Sequence, residues 1–221
     1  LAKEESNNFA LGIYDDLKKI VDNAQDKLLM AFKVAVAGNI IDMGVSLDFD
    51  IEQALSEIVT KDFDYCDYKN FVYYIPQCKN ILILGDNAGE IVFDKLLVEQ
   101  LNLLGKNVTY AVKSHPIIND ATYEDAVYVG MNKIANVIET GSMLAGANLE
   151  DCSTEFINAY KKADIVIAKG QANYESLEDA EMMFLYKTYF VLRAKCVCIA
   201  KHIGVKLGDI VFKKGAAGRH G

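Results

Sequence analysis

The sequence predicts an α/β protein: a three-layer, Rossmann-like, mostly parallel sheet with a helical N-terminal part. Three observations predict it. Apolar runs at 81–84 (ILIL), 108–113 (VTYAVK) and 164–169 (DIVIAK) have the length and continuity of strands buried on both faces. Each is followed by polar or glycine-containing residues and then by helical spacing. Repetition of that strand–helix unit implies parallel strands joined by right-handed crossovers, whereas the residues before it carry the helical period.

In chain order, 4–21 and 25–36 have helical apolar spacing, with Phe9, Ile13, Leu17 and Ile20 on one face of the first. Residues 51–59 and 68–75 read as further helices, with Asp48 or Asp50 as N-cap of the first. The α/β core occupies 77–214; beyond the three runs above, it closes with a strand at 189–193, a helix at 195–203 and a strand at 209–212. Residues 215–221 read as a glycine-rich tail, and no repeat or Pro/Ser-rich linker divides the chain. One domain is therefore expected over 1–221, helical over 1–76.

Composition bounds the function. With 221 residues, 52% hydrophobic, the chain can bury a sizeable core. A net charge of −8 argues against nucleic acid and anionic membranes, since both require a basic face to displace counterions. No apolar run approaches the ~18 residues of a membrane span. The chain reads as soluble and cytoplasmic. The cysteines, Cys66, Cys78, Cys152, Cys196 and Cys198, are odd in number without paired spacing, and read as free thiols of a reducing compartment. Cys196 and Cys198 are expected to be buried. His115, His202 and His220 lack metal-ligand spacing, and only His115 lies near the strand ends discussed next.

The chemistry concentrates where the first apolar run meets Gly85-Asp86-Asn87-Ala88-Gly89-Glu90. At the C-terminal end of a parallel strand, Asp86 and Asn87 offer hard oxygen donors suited to Mg²⁺ or Mn²⁺. The amides of Ala88 and Gly89, opening the next helix, suit a phosphate. The same residues also serve as a turn and helix cap, and Glu90 either favours the helix dipole or orients a ligand or attacking water. Two further strand ends present Asn119/Asp120 and Lys169. In a parallel sheet all three converge on one edge. Asn39 and Asp42 either stop a helix or contact phosphate and substrate hydroxyls; Asn173 and Glu175 are turn or substrate residues. Arg193 and Lys195 read as solvated or structural unless the strand end turns them inward. Asp94, Asp125 and Asp179 read as exposed helix charges.

The segments GDNAGEIVFD (85–94), PIINDAT (116–122) and KGQANYE (169–175), with AGNIIDMG (37–44) and LRAKC (192–196), resemble the damage-control phosphatase family. That family is also called acidic-residue methyltransferase-like and was long a domain of unknown function; the resemblance is to its short prokaryotic type and covers about residues 2–213. It implies a divalent metal ion (Mn, Mg, Co or Ni) held by Asp86, Asn87 and Asp120. Lys169, with Gly170 and Asn173 beside it, is implied to reach the phosphate of a small phosphorylated metabolite such as a sugar phosphate. On this reading hydrolysis rests on Asp86, Glu90 and Lys169, with Glu90 or Asp42 activating water and with Asn39, Asp42, Ala88 and Gly89 as further phosphate contacts. Relatives also carry more residues before the position of Leu1, including a Cys-x-x-Cys pair. The stretch 141–146 (GSMLAG) stands where relatives show an Asp-Ala-Pro-Gly-like loop, and Ser114-His115 replaces smaller residues. Two rival functions are a carboxyl methyltransferase using S-adenosylmethionine, which would want a Gly-rich nucleotide loop, and a non-catalytic metal and phosphometabolite binder.

Overall fold

Strands whose consecutive side chains are all apolar leave two faces to cover, and this sheet is covered on both. The computed structural model of the protein describes residues 2–38, 51–115 and 117–215. Helices α1 (Ala2–Gly12), α2 (Tyr14–Asn23), α3 (Lys27–Val36) and α4 (Ile51–Thr60) precede β1 (Tyr65–Cys66) and α5 (Tyr68–Tyr74). The alternating part runs β2 (Asn80–Leu84), α6 (Glu90–Leu103), β3 (Asn107–Val112), α7 (Tyr123–Tyr128), β4 (Asn136–Glu139), α8 (Thr154–Lys162) and β5 (Ile165–Lys169). It closes with α9 (Gln171–Leu177), α10 (Met182–Leu185), β6 (Thr188–Arg193), α11 (Val197–Ile203) and β7 (Ile210–Lys214).

The seven strands form one sheet in the order β1-β7-β6-β5-β2-β3-β4. Every neighbouring pair is parallel except β6 and β7. Period-two alternation sorts the core into two clusters. Ile81, Ile83, Tyr110, Ile167, Tyr189 and Phe212 face one side, with residues of α1–α3, α5 and α6. Leu82, Leu84, Val166, Phe190 and Val211 face the other, with residues of α8–α11. The three-layer expectation holds.

Several details correct the sequence reading. The helix expected over 4–21 is two helices that meet at Ile13, and Tyr65–Cys66, inside the part read as helical, adds an edge strand beside β7. Asp26 caps α3 by accepting from the Leu29 amide at 2.9 Å, whereas the expected caps Asp48 and Asp50 lie outside the described residues. Cys198 is exposed and Cys196 half-buried, because α11 turns only Ile199, Ala200 and Ile203 inward; all five thiols are free. Among the described residues no helix is long and apolar enough to cross a membrane.

Topology selects one crevice. From β2 the chain order leads to β3 and β4 on one side, while β5, β6 and β7 lie on the other. In doubly wound sheets the ligand crevice opens where the winding reverses, at the carboxyl ends of the strands. Here that point lies between the ends of β2 and β5, at Asp86 and Lys169.

Helix α3 is tied to the sheet by Phe32, which is fully buried with ring centroids 5.1 Å from Phe71 and 4.7 Å from Phe212, both edge-on. Edge-to-face packing adds to the area term. Phe32→Ala is expected to lower unfolding stability by about 3–5 kcal/mol in a single cooperative denaturant transition. An early separate transition for the N-terminal helices would show instead that they pack as an independent unit.

Candidate active site

Two loops at the carboxyl edge of the sheet are stitched together through their backbones. Gly85 leaves β2 with its amide on Ala111 O (2.9 Å), and a Cβ there would lie 2.6 Å from the Tyr110 hydroxyl, so glycine alone lets the chain pass. The Asp86 carbonyl then accepts from Ala121 N at 2.9 Å and the Ala88 amide donates to Asn119 O at 2.8 Å. Asn87 and Asp120 thereby form an isolated antiparallel bridge, and Lys113 pairs with Thr122 beside it. Two segments far apart in sequence thus present Asp86, Asn87 and Asp120 side by side. Asp120 is buried, and burial pushes its carboxyl above the ordinary aspartate range although Lys113 opposes the shift.

The donor set fits a hard divalent cation. Asn87 Nδ2 donates to Glu90 Oε1 at 3.2 Å, which leaves the amide oxygen to act as a ligand. Among the described residues no three His, Cys, Asp or Glu side chains come together as a metal-binding group, so the set depends on that amide oxygen. Two carboxylates and one amide oxygen are the chemistry that Mg²⁺ and Mn²⁺ accept.

From β5 the other wall is built. Gly170 has φ +80°, and a Cβ on it would lie 1.9 Å from Asp86 Oδ2; the aspartate packs directly on the glycine backbone. Asp86, Glu90, Lys169, Gly170, Gln171, Arg193 and Lys195 are among the residues lining a cavity of about 20 Å³, room for one water or ion. Lys169 is fully buried; its Nζ donates to Asp94 Oδ1 at 2.8 Å and lies 3.7 Å from Glu90 Oε2. Burial works against that charge, but Asp94, Glu90 and Asp86 outweigh it and hold the ammonium above the ordinary lysine pKa. Asp86 is pushed up to about 7 by burial and then by Glu90, against the pull of Lys169 and Lys195. Gly38 lies against the Glu90 side chain, 2.2 Å from its Cδ to a notional Cβ, so the end of α3 closes over this carboxylate.

Not every expected contact is available. The Ala88 amide is engaged by Asn119 O and the Gly89 amide donates to Asn7 Oδ1 at 2.6 Å, so neither is free for a phosphate as the sequence reading had it. The Gly170 amide donates to Val191 O, and this residue contributes space for Asp86 rather than a donor. Asn173 Nδ2 bridges Gly85 O at 3.1 Å and Lys169 O at 2.7 Å, tying the ends of β2 and β5; only its buried Oδ1, an acceptor, lacks a partner, which suits a cation or water and not an anion. Glu175 is exposed, and Gln171 donates to it. His115 is exposed; Asn39 and Asp42 lie outside the described residues.

Burial overturns two surface assignments. Asp94 is fully buried, and Asp125 is buried in a capping box with Thr122 while accepting from Asn7 Nδ2 at 2.9 Å and pairing with Lys3. Asp179 is exposed as expected. Arg193 and Lys195 both line the cavity, Lys195 being exposed and Arg193 half-buried with its Nε on Gly208 O at 3.0 Å. Lys113 was not singled out from sequence. It is buried at the end of β3, donates to Gly146 O and so holds the 141–146 loop, whose other end is fixed by Gly141 N on Ser114 Oγ at 2.7 Å. For Asp94 the available signal was the density of apolar residues around it: α6 reads EIVFDKLLV and buries nearly every side, leaving Asp94 no solvent face.

A mostly parallel α/β sheet gathers carboxylates and a lysine at its switch point, and the family model and curated relatives that match the chain make it a phosphatase. The chain belongs to the damage-control phosphatase ARMT1-like domain family, whose model matches residues 1–211. It is 36% identical over 200 residues to a damage-control phosphatase of Pyrococcus horikoshii, covering 88% of this chain and 69% of that one. It is 34% identical over 214 residues to a damage-control phosphatase of Archaeoglobus fulgidus, covering 96% and 73%. The crystal structure of a DUF89 family protein from Pyrococcus horikoshii superposes with a TM-score of 0.88 at 33% identity, over 97% of this chain and 74% of that one.

Gly170→Ala is expected to cost about 2 kcal/mol or more in denaturant unfolding, since it adds left-handed strain to an overlap with Asp86. Gly12→Ala, which meets nothing within 4 Å, serves as the control and should be neutral or stabilising. Equal effects at both positions would remove the packing role assigned to Gly170.

Proposed function

We propose that the protein is a divalent-metal-dependent, cytoplasmic phosphatase of small phosphorylated metabolites, sugar phosphates or damaged metabolite phosphates, with Asp86, Asn87 and Asp120 holding the metal and Lys169 addressing the phosphate. The observation that carries this reading is the pairing of the Asp86/Asn87 and Asp120 loops beside the buried Lys169 ammonium. When bound, Mn²⁺, Mg²⁺, Co²⁺ or Ni²⁺ supplies Lewis-acid polarisation of the phosphoryl group. The side chains do the rest. Lys169 offers a preorganised positive charge where negative charge spreads over the transferring phosphoryl oxygens. Glu90, held by Asn87 Nδ2 and facing Lys169, accepts the proton of the attacking water. Water's oxygen bonds to phosphorus, the ester oxygen leaves with the bonding pair and takes up a proton, and alcohol and inorganic phosphate result. Asp86 is a ligand and not the nucleophile on this reading. No observation favours methyl transfer; turnover itself separates an enzyme from a binder.

Asp86→Ala and Asp120→Ala are each expected to abolish metal binding in calorimetric titration while leaving the far-UV spectrum intact. Lys169→Ala should keep metal affinity within a few-fold and lower kcat/KM on a phosphate ester by about 10²-fold or more. Full metal binding in both aspartate variants would remove the metal site; parent-like turnover in the lysine variant would remove Lys169 from the phosphate.

The raised Asp86 pKa sets a pH dependence. Its carboxyl retains its proton in the folded, metal-free protein from the ordinary 3.8 up to about 7, so metal-free stability falls as pH rises across that window. A cation must displace that proton. Metal affinity is therefore expected to weaken by up to about tenfold per pH unit below 7 and to level off above it. Affinity that is flat between pH 5.5 and 8 would contradict Asp86 as a ligand.

A further inference from the structure

We propose that Asp94, backed by Tyr110, is the positioning residue that fixes the Lys169 ammonium at the phosphate site; this rests on the proposed role of Lys169. Asp94 stands one helical turn after Glu90 on α6, with its side chain fully shielded from solvent. Both carboxylate oxygens are engaged. Oδ1 accepts from Lys169 Nζ at 2.8 Å, and Oδ2 accepts from the Tyr110 hydroxyl at 2.6 Å. Tyr110 comes from β3, is itself fully buried, and its hydroxyl end lies against Gly85, the residue before Asp86. A carboxylate so held cannot rotate away from the lysine.

The need for such a device follows from what else faces the ammonium. Glu90 lies 3.7 Å from it, and Asp86 also bears on its charge. A lysine with four rotatable bonds and three donors, placed among several carboxylates, would otherwise pair with the carboxylate that holds the metal or the one that activates water. Asp94 takes one donor at 2.8 Å while Glu90 stays at 3.7 Å, beyond hydrogen-bond distance, so the remaining donors are left for an incoming anion and Glu90 for the proton of water. Buried charge pairs add little net stability against an apolar replacement, whereas breaking one leaves an uncompensated charge. Burying this pair is thus poorly explained by stability alone.

The test is a double-mutant cycle on the metal-loaded protein with p-nitrophenyl phosphate as substrate, using Asp94→Asn, Lys169→Ala and the two together, with Tyr110→Phe as the milder variant. Asp94→Asn should lower kcat by about tenfold or more with KM changed less than about threefold, and Tyr110→Phe should lower kcat in the same direction by a smaller factor. In the Lys169→Ala background, Asp94→Asn should have no further effect on kcat and should raise the melting temperature, because it removes a buried carboxylate left without its partner. If Asp94→Asn does not fold alone, Tyr110→Phe and the double variant carry the test. Parent-like kcat in the folded Asp94→Asn and Tyr110→Phe variants, or an equal loss on adding Asp94→Asn to Lys169→Ala, overturns the positioning role while leaving Lys169 on the phosphate. Parent-like turnover of Lys169→Ala overturns both.

Discussion

The site depends on a short piece of backbone pairing between two loops that belong to no strand. Ala121 N to Asp86 O and Ala88 N to Asn119 O clamp the end of β2 to the segment after β3, and the Asn87–Asp120 bridge is the result. Each such hydrogen bond contributes only about 1 kcal/mol net. Their larger effect is geometric: side chains from positions 86, 87 and 120 are fixed in one place before any ligand arrives. Asn7 of α1 reinforces the clamp from below, donating to Asp125 and accepting from Gly89, so the N-terminal helix is part of the site's support.

Electrostatics then decides what that place can hold. Asp86 and Glu90 share the small cavity with the buried Lys169 ammonium, Arg193 and Lys195 also line it, and Lys113 bears on Asp120 from the next strand end. Without a cation, burial holds the carboxyls of Asp86 and Asp120 above the ordinary aspartate range, and Glu90 adds to the shift at Asp86. Relatives named damage-control phosphatases match most of this chain, and a DUF89 family protein shares its fold.

How much was legible in the sequence follows from what each signal encodes. Strands β2, β3, β5 and β6 announce themselves because a strand buried on both faces must be largely apolar, β7 by its short apolar run at 210–212, and the convergence of Asp86, Asn87, Asp120 and Lys169 follows from strand direction. Strand β1 was not legible: two residues, Tyr65 and Cys66, carry no period, and their pairing with β7 is a tertiary outcome. The amides of Ala88 and Gly89 were misread because a helix N-terminus shows open donors only until tertiary partners are known; Asn119 O and Asn7 Oδ1 take both. Asp94 was misread because helical period places charges outward by default, and nothing local reveals that β3 brings Tyr110, and β5 brings Lys169, to meet it.

Anomalous diffraction from crystals grown with Mn²⁺ tests most directly that the paired loops form a metal site. One strong peak contacted by Asp86, Asn87 and Asp120 side-chain oxygens is expected, with the Asn87–Asp120 backbone pairing unchanged from the metal-free form. Absence of any peak at those three residues, at Mn²⁺ concentrations that support turnover, would contradict the assignment of the site.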